Sequence, residues 1–143
     1  MSFDLRLVNG DLNIQPNGTI EPVFNEQKLI QDMLKALFTP VGSHQLHKWY
    51  GSPLQDRIGG KVIDPAILDT IIKDGIVYSL KNLQTLQDLQ QRDGQFVTPR
   101  EIVKTIDGVE IYQDESDPRQ LNIFIRVTTR SGNTIEEGIV VAL

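Results

Sequence analysis

Residues 37–54, LFTPVGSHQLHKWYGSPL, decide how this chain folds, because they contain two enforced breaks in regular structure. A helix that reaches Thr39 must end there. Pro40 disfavours helical geometry at the residue before it and has no N–H for the next helical hydrogen bond. The aromatic pair at 49–50 then precedes a second break at 51–53. We therefore predict a rigid connector made of a helix end, a turn, a short extended piece and another turn.

The segment before the connector is predicted to be an amphipathic helix of three turns or more. Asn25 is a candidate N-cap, and Glu26 and Gln27 follow it in the first turn. The apolar residues recur at helical spacing and form one stripe. They are Leu29, Ile30, Met33, Leu34, Leu37 and Phe38.

The N-terminal residues indicate a small β element. Phe3, Leu5 and Leu7 alternate with polar residues, which is typical of a half-buried strand. Asn9-Gly10 favours a tight hairpin turn, because both positions of such a turn need positive φ. We therefore expect a short hairpin before the first helix.

A second, longer helix is predicted after the connector. Asp64 is its candidate N-cap, Pro65 fits the first helical position, and Asp93-Gly94 ends it. Gly75 lies inside this helix and weakens it by about 1 kcal/mol relative to alanine. Either a neighbouring backbone approaches closely at Gly75, or the glycine is simply tolerated. The apolar seam consists of Leu68, Ile71, Ile72, Ile76, Leu80, Leu83 and Leu86.

The last third of the chain is predicted to be an antiparallel sheet. Apolar residues from 102 to 111 indicate one strand or a bulged pair, with a bulge or turn at 107–108. Residues 121–127 alternate as a second strand, and Ser131-Gly132-Asn133 predicts a hairpin into the final strand. Together the elements predict one α+β domain over residues 1–143.

Composition excludes several classes of protein. The net charge is −5 and no Lys/Arg cluster is present, so nucleic acid is not an expected partner. The absence of cysteine excludes disulfides and thiolate chemistry. We expect no membrane partner, because no apolar run is long enough to span a bilayer and the N-terminus is not a signal peptide.

Catalytic and metal sites are not expected. Glycoside hydrolysis needs two carboxyl groups across a cleft, one of them with a raised pKa. Nearly all the acidic candidates are expected in polar loops or at solvent-facing strand positions. His44 and His47 should project to opposite sides, with no partner to complete a metal site. The acidic candidates are Glu21, Glu26, Asp56, Glu101, Glu110, Asp114, Glu115, Glu136 and Glu137.

An ordered set of residues in the connector resembles the helix-to-strand segment of phage baseplate sheath initiators, a contractile-tail baseplate wedge family. The opening FDLRLVNGDLNI is also similar, and the resemblance covers nearly the whole chain. It implies a structural baseplate protein of a phage tail, a contractile bacteriocin or a type VI secretion system. The matching residues are Leu37, Thr39, Gly42, Tyr50, Gly51, Ser52 and Leu54.

The resemblance also implies contacts with partners. Thr98-Pro99-Arg100 matches two of three positions of the family's Glu-Pro-Arg motif, which in relatives docks onto the baseplate wedge core, with Thr98 in place of the acid. The missing acid removes the motif's own Glu-Arg pairing and leaves Arg100 to contact the partner directly. The alternative is a pre-strand turn with a solvated arginine. Trp49 is either a partner-facing anchor or part of the core.

By the same resemblance, the C-terminal sheet is similar to the C-terminal (handshake) domain of the sheath subunit. It is expected to accept strands from the first ring of tail sheath by β-augmentation and to nucleate sheath polymerisation. Baseplate wedge proteins are the other expected partners, with the tube or hub as a further candidate. A six-fold tail implies about six copies in each virion baseplate, assembled in the bacterial cytoplasm. The expected strand-accepting residues are Leu121, Ile123, Ile125, Val127, Ile139 and Val141.

Because the family is tied to the name lysozyme, a peptidoglycan-cleaving muramidase is the alternative function. The lack of a convincing pair of catalytic carboxyls favours the structural role, without cofactor or metal.

Overall fold

The computed structural model of the protein describes residues 2–55 and 64–142, and the acidic candidate Asp56 lies outside them. It confirms the predicted α+β class, with small N-terminal β elements, two main helices and a C-terminal antiparallel sheet. A 3-10 turn, Pro99–Glu101, precedes that sheet. In chain order the elements are β1 Asp4–Leu5, β2 Leu7–Val8, β3 Asp11–Leu12, β4 Pro22–Val23, α1 Asn25–Phe38, α2 Pro65–Arg92, β5 Val103–Gln113, β6 Gln120–Thr129 and β7 Thr134–Ala142.

The C-terminal sheet has the order β5-β6-β7, so β6 is its central strand. Alternate residues of β6 point to opposite faces. The odd-numbered ones are buried in a core shared with the helices, and α2 packs against both α1 and β5. The predicted bulge is present, since the register of β5 shifts between Ile106 and Gly108 and again between Val103 and Thr105. The predicted hairpin joins β6 to β7.

The start of α1 differs from the prediction. Phe24, in an extended conformation, occupies the N-cap position and makes no side-chain cap hydrogen bond. Asn25 is the first helical residue and has a φ of 51°. Its side-chain oxygen accepts a hydrogen bond from the hydroxyl of Thr98 at 3.3 Å. The N-cap prediction for Asn25 is therefore wrong, because this side chain joins α1 to the segment before β5.

Helix α2 begins and ends as predicted. Asp64 Oδ1 accepts a hydrogen bond from the backbone N–H of Ala66 at 2.9 Å, and Asp93 follows the last turn. A Cβ placed on Gly75 would lie 2.8 Å from Leu54 Cδ2. A close neighbour therefore explains this glycine, but the neighbour is a side chain of the connector and not a backbone.

The N-terminal hairpin forms as predicted, but its burial is the reverse of the expected pattern. Its turn residues Asn9 and Gly10 have φ values of 52° and 82°. Phe3 is 58% exposed and Leu5 is 38% exposed. The prediction that this alternation marks a half-buried apolar face is wrong for these two residues.

Polar contacts with α1 explain that reversal. The buried Gln31 side chain donates to Leu5 O at 2.7 Å and accepts from the Leu7 N–H at 2.8 Å. Gln31 also donates to Asp4, which forms an ion pair with Lys35. The polar side of β1 therefore faces α1, and the side chains of Phe3 and Leu5 are turned outward.

The connector ties the end of α1 to the approach to α2 through the backbone. Thr39 O accepts from the Ser52 N–H at 2.7 Å, and Ser52 O accepts from the Val41 N–H at 3.1 Å. Gly51 has a φ of 112°, and a Cβ there would lie 2.5 Å from Thr39 O. Only glycine therefore allows this close approach. The side chains of Tyr50 and Leu54 are 7% and 6% exposed in the core beneath it.

Two expectations for the middle of the connector are wrong. Residues 47–50 form a turn closed by the Tyr50 N–H donating to His47 O at 3.0 Å, instead of an extended piece. His44 and His47 do not project to opposite sides, because the His47 N–H donates to His44 Nδ1 at 3.1 Å and their rings stack with centroids 5.4 Å apart. Trp49 is half-buried and packs against the core, as one of its two alternatives required.

Candidate assembly surfaces

Strand β7 has a free edge. In the described part of the chain it pairs only with β6. Thr129 N–H donates to Asn133 O at 2.8 Å, which fixes the alternation of hydrogen-bonded pairs along the β6–β7 hairpin. Odd-numbered residues of β7 therefore direct their backbone groups to β6. The backbone N–H and C=O groups directed away from the sheet belong to Thr134, Glu136, Gly138, Val140 and Ala142.

This edge is also long and regular. The nine residues of β7 pair with β6 from Thr128↔Thr134 to Gln120↔Ala142 without a register shift. Its core-facing residues Ile139 and Val141 are half-buried, whereas Val140 on the opposite face is 62% exposed. A strand added beside β7 could thus extend both the hydrogen-bond ladder and the cover over the core.

The opposite edge, along β5, is closed at its start by α2. The Gln87 side chain accepts from Val103 N–H at 3.0 Å and donates to Glu101 O at 2.7 Å. Gln84 donates to Val103 O at 3.3 Å and to Lys104 O at 3.2 Å. The two register shifts of β5 lie in the same half of the strand. Bulges and side-chain covers of this kind are how proteins block unwanted strand pairing.

The six expected strand-accepting residues fall into two groups. Four lie on β6, which is paired on both sides, and their side chains are at most 4% exposed. Only Ile139 and Val141 lie beside the free edge. The four core residues on β6 are Leu121, Ile123, Ile125 and Val127.

The Thr98–Arg100 segment forms a corner between α1 and the β6–β7 hairpin. Arg100 Nε donates to Glu26 Oε1 at 2.7 Å, and Asn133 Nδ2 donates to the same oxygen at 2.8 Å. Pro99 O accepts from the Ser131 N–H at 3.2 Å. Arg100 pairs with an acid from α1 in place of the acid missing from its own segment, and its side chain is 53% exposed.

The electrostatics of this corner favour the ion pair. The hydrogen bond from Arg100 lowers the pKa of Glu26 below its ordinary value, and that from Asn133 adds to the effect. The exposed side of the guanidinium can still donate to another molecule. Glu26 therefore holds the Arg100 side chain in place at this corner, while the exposed N–H groups of the guanidinium can bind another molecule.

A cleft of about 420 Å³ lies between α1, the connector and α2. Its charged residues form a network in which Lys28 Nζ lies 2.9 Å from Asp32 and Lys35 Nζ lies 3.2 Å from Asp32. Partial burial opposes ionisation of Asp4, but hydrogen bonds from Lys35 and Gln31 outweigh it and lower its pKa. The cleft therefore holds paired charges.

Glu101 departs from the solvent-facing position expected for nearly all the acids. Its side chain is fully buried, and Lys28 Nζ lies 3.7 Å from its Oε1. The two carboxylate oxygens have no hydrogen-bond donor among the described residues. A group with no exposed surface cannot touch a substrate in the cleft.

Sequence reasoning missed the glutamines that organise both ends of the structure, Gln31 and Gln87. Both are buried, at 8% and 2% exposure, and both bond to the backbone of a neighbouring strand. A signal existed for Gln87, because it follows Leu80 and Leu83 in the apolar seam of α2. A polar residue in such a seam indicates a buried hydrogen-bonding role.

The described residues offer neither a metal-binding cluster nor a membrane-spanning helix. They contain no group of three or more His, Cys, Asp and Glu side chains arranged to hold a metal ion. None of their helices combines the length and the apolar character needed to cross a membrane.

Comparison with known proteins identifies the fold only. No protein-family model and no curated protein sequence matches the chain. The chain is similar to the crystal structure of a "putative tail lysozyme" from Geobacter sulfurreducens. The TM-score is 0.58 at 17% identity, covering 82% of this chain and 90% of the other. At this identity the two proteins share a fold, and the name belongs to the neighbour.

Proposed function

We propose that this protein is a structural component of a contractile-tail baseplate that joins the baseplate wedge to the first ring of tail sheath. In this proposal β7 accepts a strand from a sheath subunit, and the completed sheet nucleates further polymerisation. The connector resemblance supports a baseplate role, and so does a fold shared with a protein whose name refers to a tail.

The observation that carries this proposal is the unpaired edge of β7. It offers outward N–H and C=O groups along a strand without a bulge, next to half-buried aliphatic residues. A long, regular edge is a hazard that proteins normally blunt, unless it serves as a template for another chain. The β5 edge has bulges and a side-chain cover at its start, and the described β7 edge has neither.

The proposed wedge contact is the corner formed by Thr98, Pro99 and Arg100. It adjoins the β6–β7 hairpin just before β7 begins, whereas the half-buried aliphatic residues Ile139 and Val141 lie toward the other end of β7. One molecule could then bind a wedge protein through the corner and a sheath strand through β7. About six copies around the tail, a contact with the tube or hub, and a place in the virion tail follow from the resemblance and form part of the proposal.

A muramidase is the second candidate, favoured by the name of the similar structure and by the buried carboxyl of Glu101. Retaining and inverting enzymes need an acid with a raised pKa that reaches the substrate. Glu101 has no exposed surface, and the pKa of Asp4 in the cleft is lowered. These facts favour the structural role.

Co-expression with the cognate sheath protein and electron microscopy of the product tests the proposal. We expect baseplate-attached sheath with the wild-type chain and none when the chain is deleted. Sheath assembly that is indifferent to the deletion would overturn the assignment.

A zymogram of the purified protein on peptidoglycan, repeated with Asp32→Ala and Glu101→Ala, tests the muramidase alternative. A cleared zone that either substitution removes would establish it.

A further inference from the structure

The core-facing side of β7 carries both aliphatic and acidic side chains. Ile139 and Val141 are half-buried aliphatic residues near one end of this face. Glu137 is also half-buried and lies on the same face, two residues before Ile139. Side chains opposite one another on adjacent strands lie about 5 Å apart. A strand added to β7 would therefore place side chains beside all three residues.

The two neighbouring acids of β7 differ in their pairing. Glu136, on the outer face, forms an ion pair with Arg126 across the β6–β7 ladder, with Arg126 Nε 2.5 Å from Glu136 Oε1. Glu137, on the core-facing side, has no ion-pair partner within residues 2–55 and 64–142. Glu136 is thus satisfied inside the molecule, whereas the charge of Glu137 is left for water or for another chain.

Strand addition would remove water from Glu137. Covering a carboxylate is strongly unfavourable unless a cation or hydrogen-bond donors replace the water. The flanking positions have the opposite preference, because Ile139 and Val141 gain by contact with apolar side chains. The β7 edge therefore favours an added strand that has a cation or hydrogen-bond donor beside Glu137 and apolar side chains beside Ile139 and Val141.

We propose that β7 selects an extended segment with a lysine or arginine beside Glu137 and aliphatic residues beside Ile139 and Val141. This proposal rests on the proposed function, since it names the chemistry of the strand that the free edge accepts. It makes Glu137 the residue that sets the register. A slip of one residue turns the whole set to the other face, and a slip of two places an aliphatic residue beside the carboxylate.

A synthetic peptide of nine residues tests the proposal. The sequence Thr-Val-Thr-Val-Thr-Lys-Thr-Val-Thr, attached to a soluble tail, places its lysine beside Glu137 in an antiparallel arrangement. The reversed sequence does so in a parallel one. A matching pair of peptides has glutamate in place of lysine. Affinity is measured by titration, and strand addition is detected by slower hydrogen exchange of the outward amides of Gly138 and Val140.

We expect that reversing the charge of residue 137 reverses which of the two peptides binds more tightly. A lysine peptide should bind wild type and lose affinity about tenfold with Glu137→Lys, and the glutamate peptide should recover it. Glu136→Lys is the matched control, because it makes the same charge change on the opposite face. It should alter the affinity by less than about twofold. Glu137→Gln, which keeps the side-chain shape, should lose the preference for lysine.

Two results would overturn the inference, and they are distinguishable. If the peptides protect the amides of Gly138 and Val140 but changes at Glu137 and Glu136 have equal effects, register selection by Glu137 is wrong and strand acceptance stands. If no peptide in either orientation slows exchange at these amides, strand acceptance itself fails, and the proposed function loses its main support.

Discussion

The two edge strands of the C-terminal sheet, β5 and β7, differ at the start of β5, where the backbone is irregular and covered. The start of β5 has two register shifts and is bonded by glutamine side chains from α2. Strand β7 is regular throughout and has no partner beyond β6 in the described chain. One edge of this sheet is therefore protected against pairing with another strand at its start, whereas the regular β7 edge lacks that cover.

Proline substitutions on β7 should give the largest effect and test the backbone geometry directly. The Ile139 N–H is directed to β6, so Ile139→Pro removes a ladder hydrogen bond, leaves the acceptor on β6 unpaired and shortens a core-facing side chain. Together these losses should cost about 3 kcal/mol or more of unfolding free energy. The Val140 N–H is directed outward, so Val140→Pro should cost much less while blocking strand addition. Urea unfolding measures the first effect, and sheath co-assembly measures the second. Equal destabilisation by the two prolines would show that the assigned alternation is wrong.

The closed edge should respond next most strongly, through Gln87. Gln87→Ala leaves the Val103 N–H and the Glu101 carbonyl without their buried partner, and we expect a loss of about 2 kcal/mol. Gln84→Ala is the matched control. Its longer bonds are more exposed, so the loss should stay below about 1 kcal/mol.

Both glutamine variants are compared with wild type by urea denaturation and by amide exchange along β5. Faster exchange confined to the start of β5 in Gln87→Ala would show that this side chain closes the edge. If Gln84→Ala proves as destabilising as Gln87→Ala, the closure does not depend on the buried glutamine.

Arg100→Ala should have a smaller effect on folding and a large effect on assembly. The Arg100–Glu26 pair is largely exposed on the arginine side, so the loss of unfolding free energy should be about 0.5 kcal/mol. We expect a folded monomer that no longer enters baseplates, as judged by gradient sedimentation of assembled particles. Glu26→Gln removes the same ion pair but keeps the arginine.

These two variants separate a docking role for Arg100 from a purely internal one. If the guanidinium contacts a wedge protein, Glu26→Gln should still enter baseplates. If Arg100→Ala enters baseplates normally, Arg100 does not make the wedge contact. This conclusion holds independently of the result for strand addition at β7.

The smallest expected effect is the pH dependence of the same corner. The hydrogen bond from Arg100 lowers the pKa of Glu26 from its ordinary 4.5, so this group stabilises the fold above that value. The contribution is lost as the pH falls through the lower pKa of the folded state. When the pH falls from about 6 to below the pKa of Glu26 in the folded state, wild type should therefore lose more unfolding free energy than Glu26→Gln. Parallel pH profiles of the two proteins would contradict this.

The sequence predicted much of the fold because several of its signals are local and strong. Asp64-Pro65, Asn9-Gly10 and the hairpin residues at 131–133 have few alternative conformations, and the structure confirms all three. The prediction for Asn25 failed because a distant hydroxyl, that of Thr98, engages its side chain. Capping preferences describe a helix in isolation and are overridden by such tertiary contacts.

The candidate site could be anticipated only in part. The resemblance implies Ile139 and Val141 as strand-accepting residues, and both lie on one face of the edge strand β7. Alternation does not give strand order, and Leu121 to Val127 therefore proved to lie in the centre of the sheet. The closure by Gln87 and the unpaired carboxylate of Glu137 depend on contacts between residues far apart in the chain, which no local pattern contains.

The lateral pairing of β7 with β6 also has a mechanical consequence. Along its nine residues the ladder runs parallel to the strand axis without interruption. A pull along that axis loads all the inter-strand bonds at once, in shear, whereas a pull across it would break them one after another. A load applied to β7 along its length, with the molecule held at the Arg100 corner, thus meets the stiffest direction of the sheet.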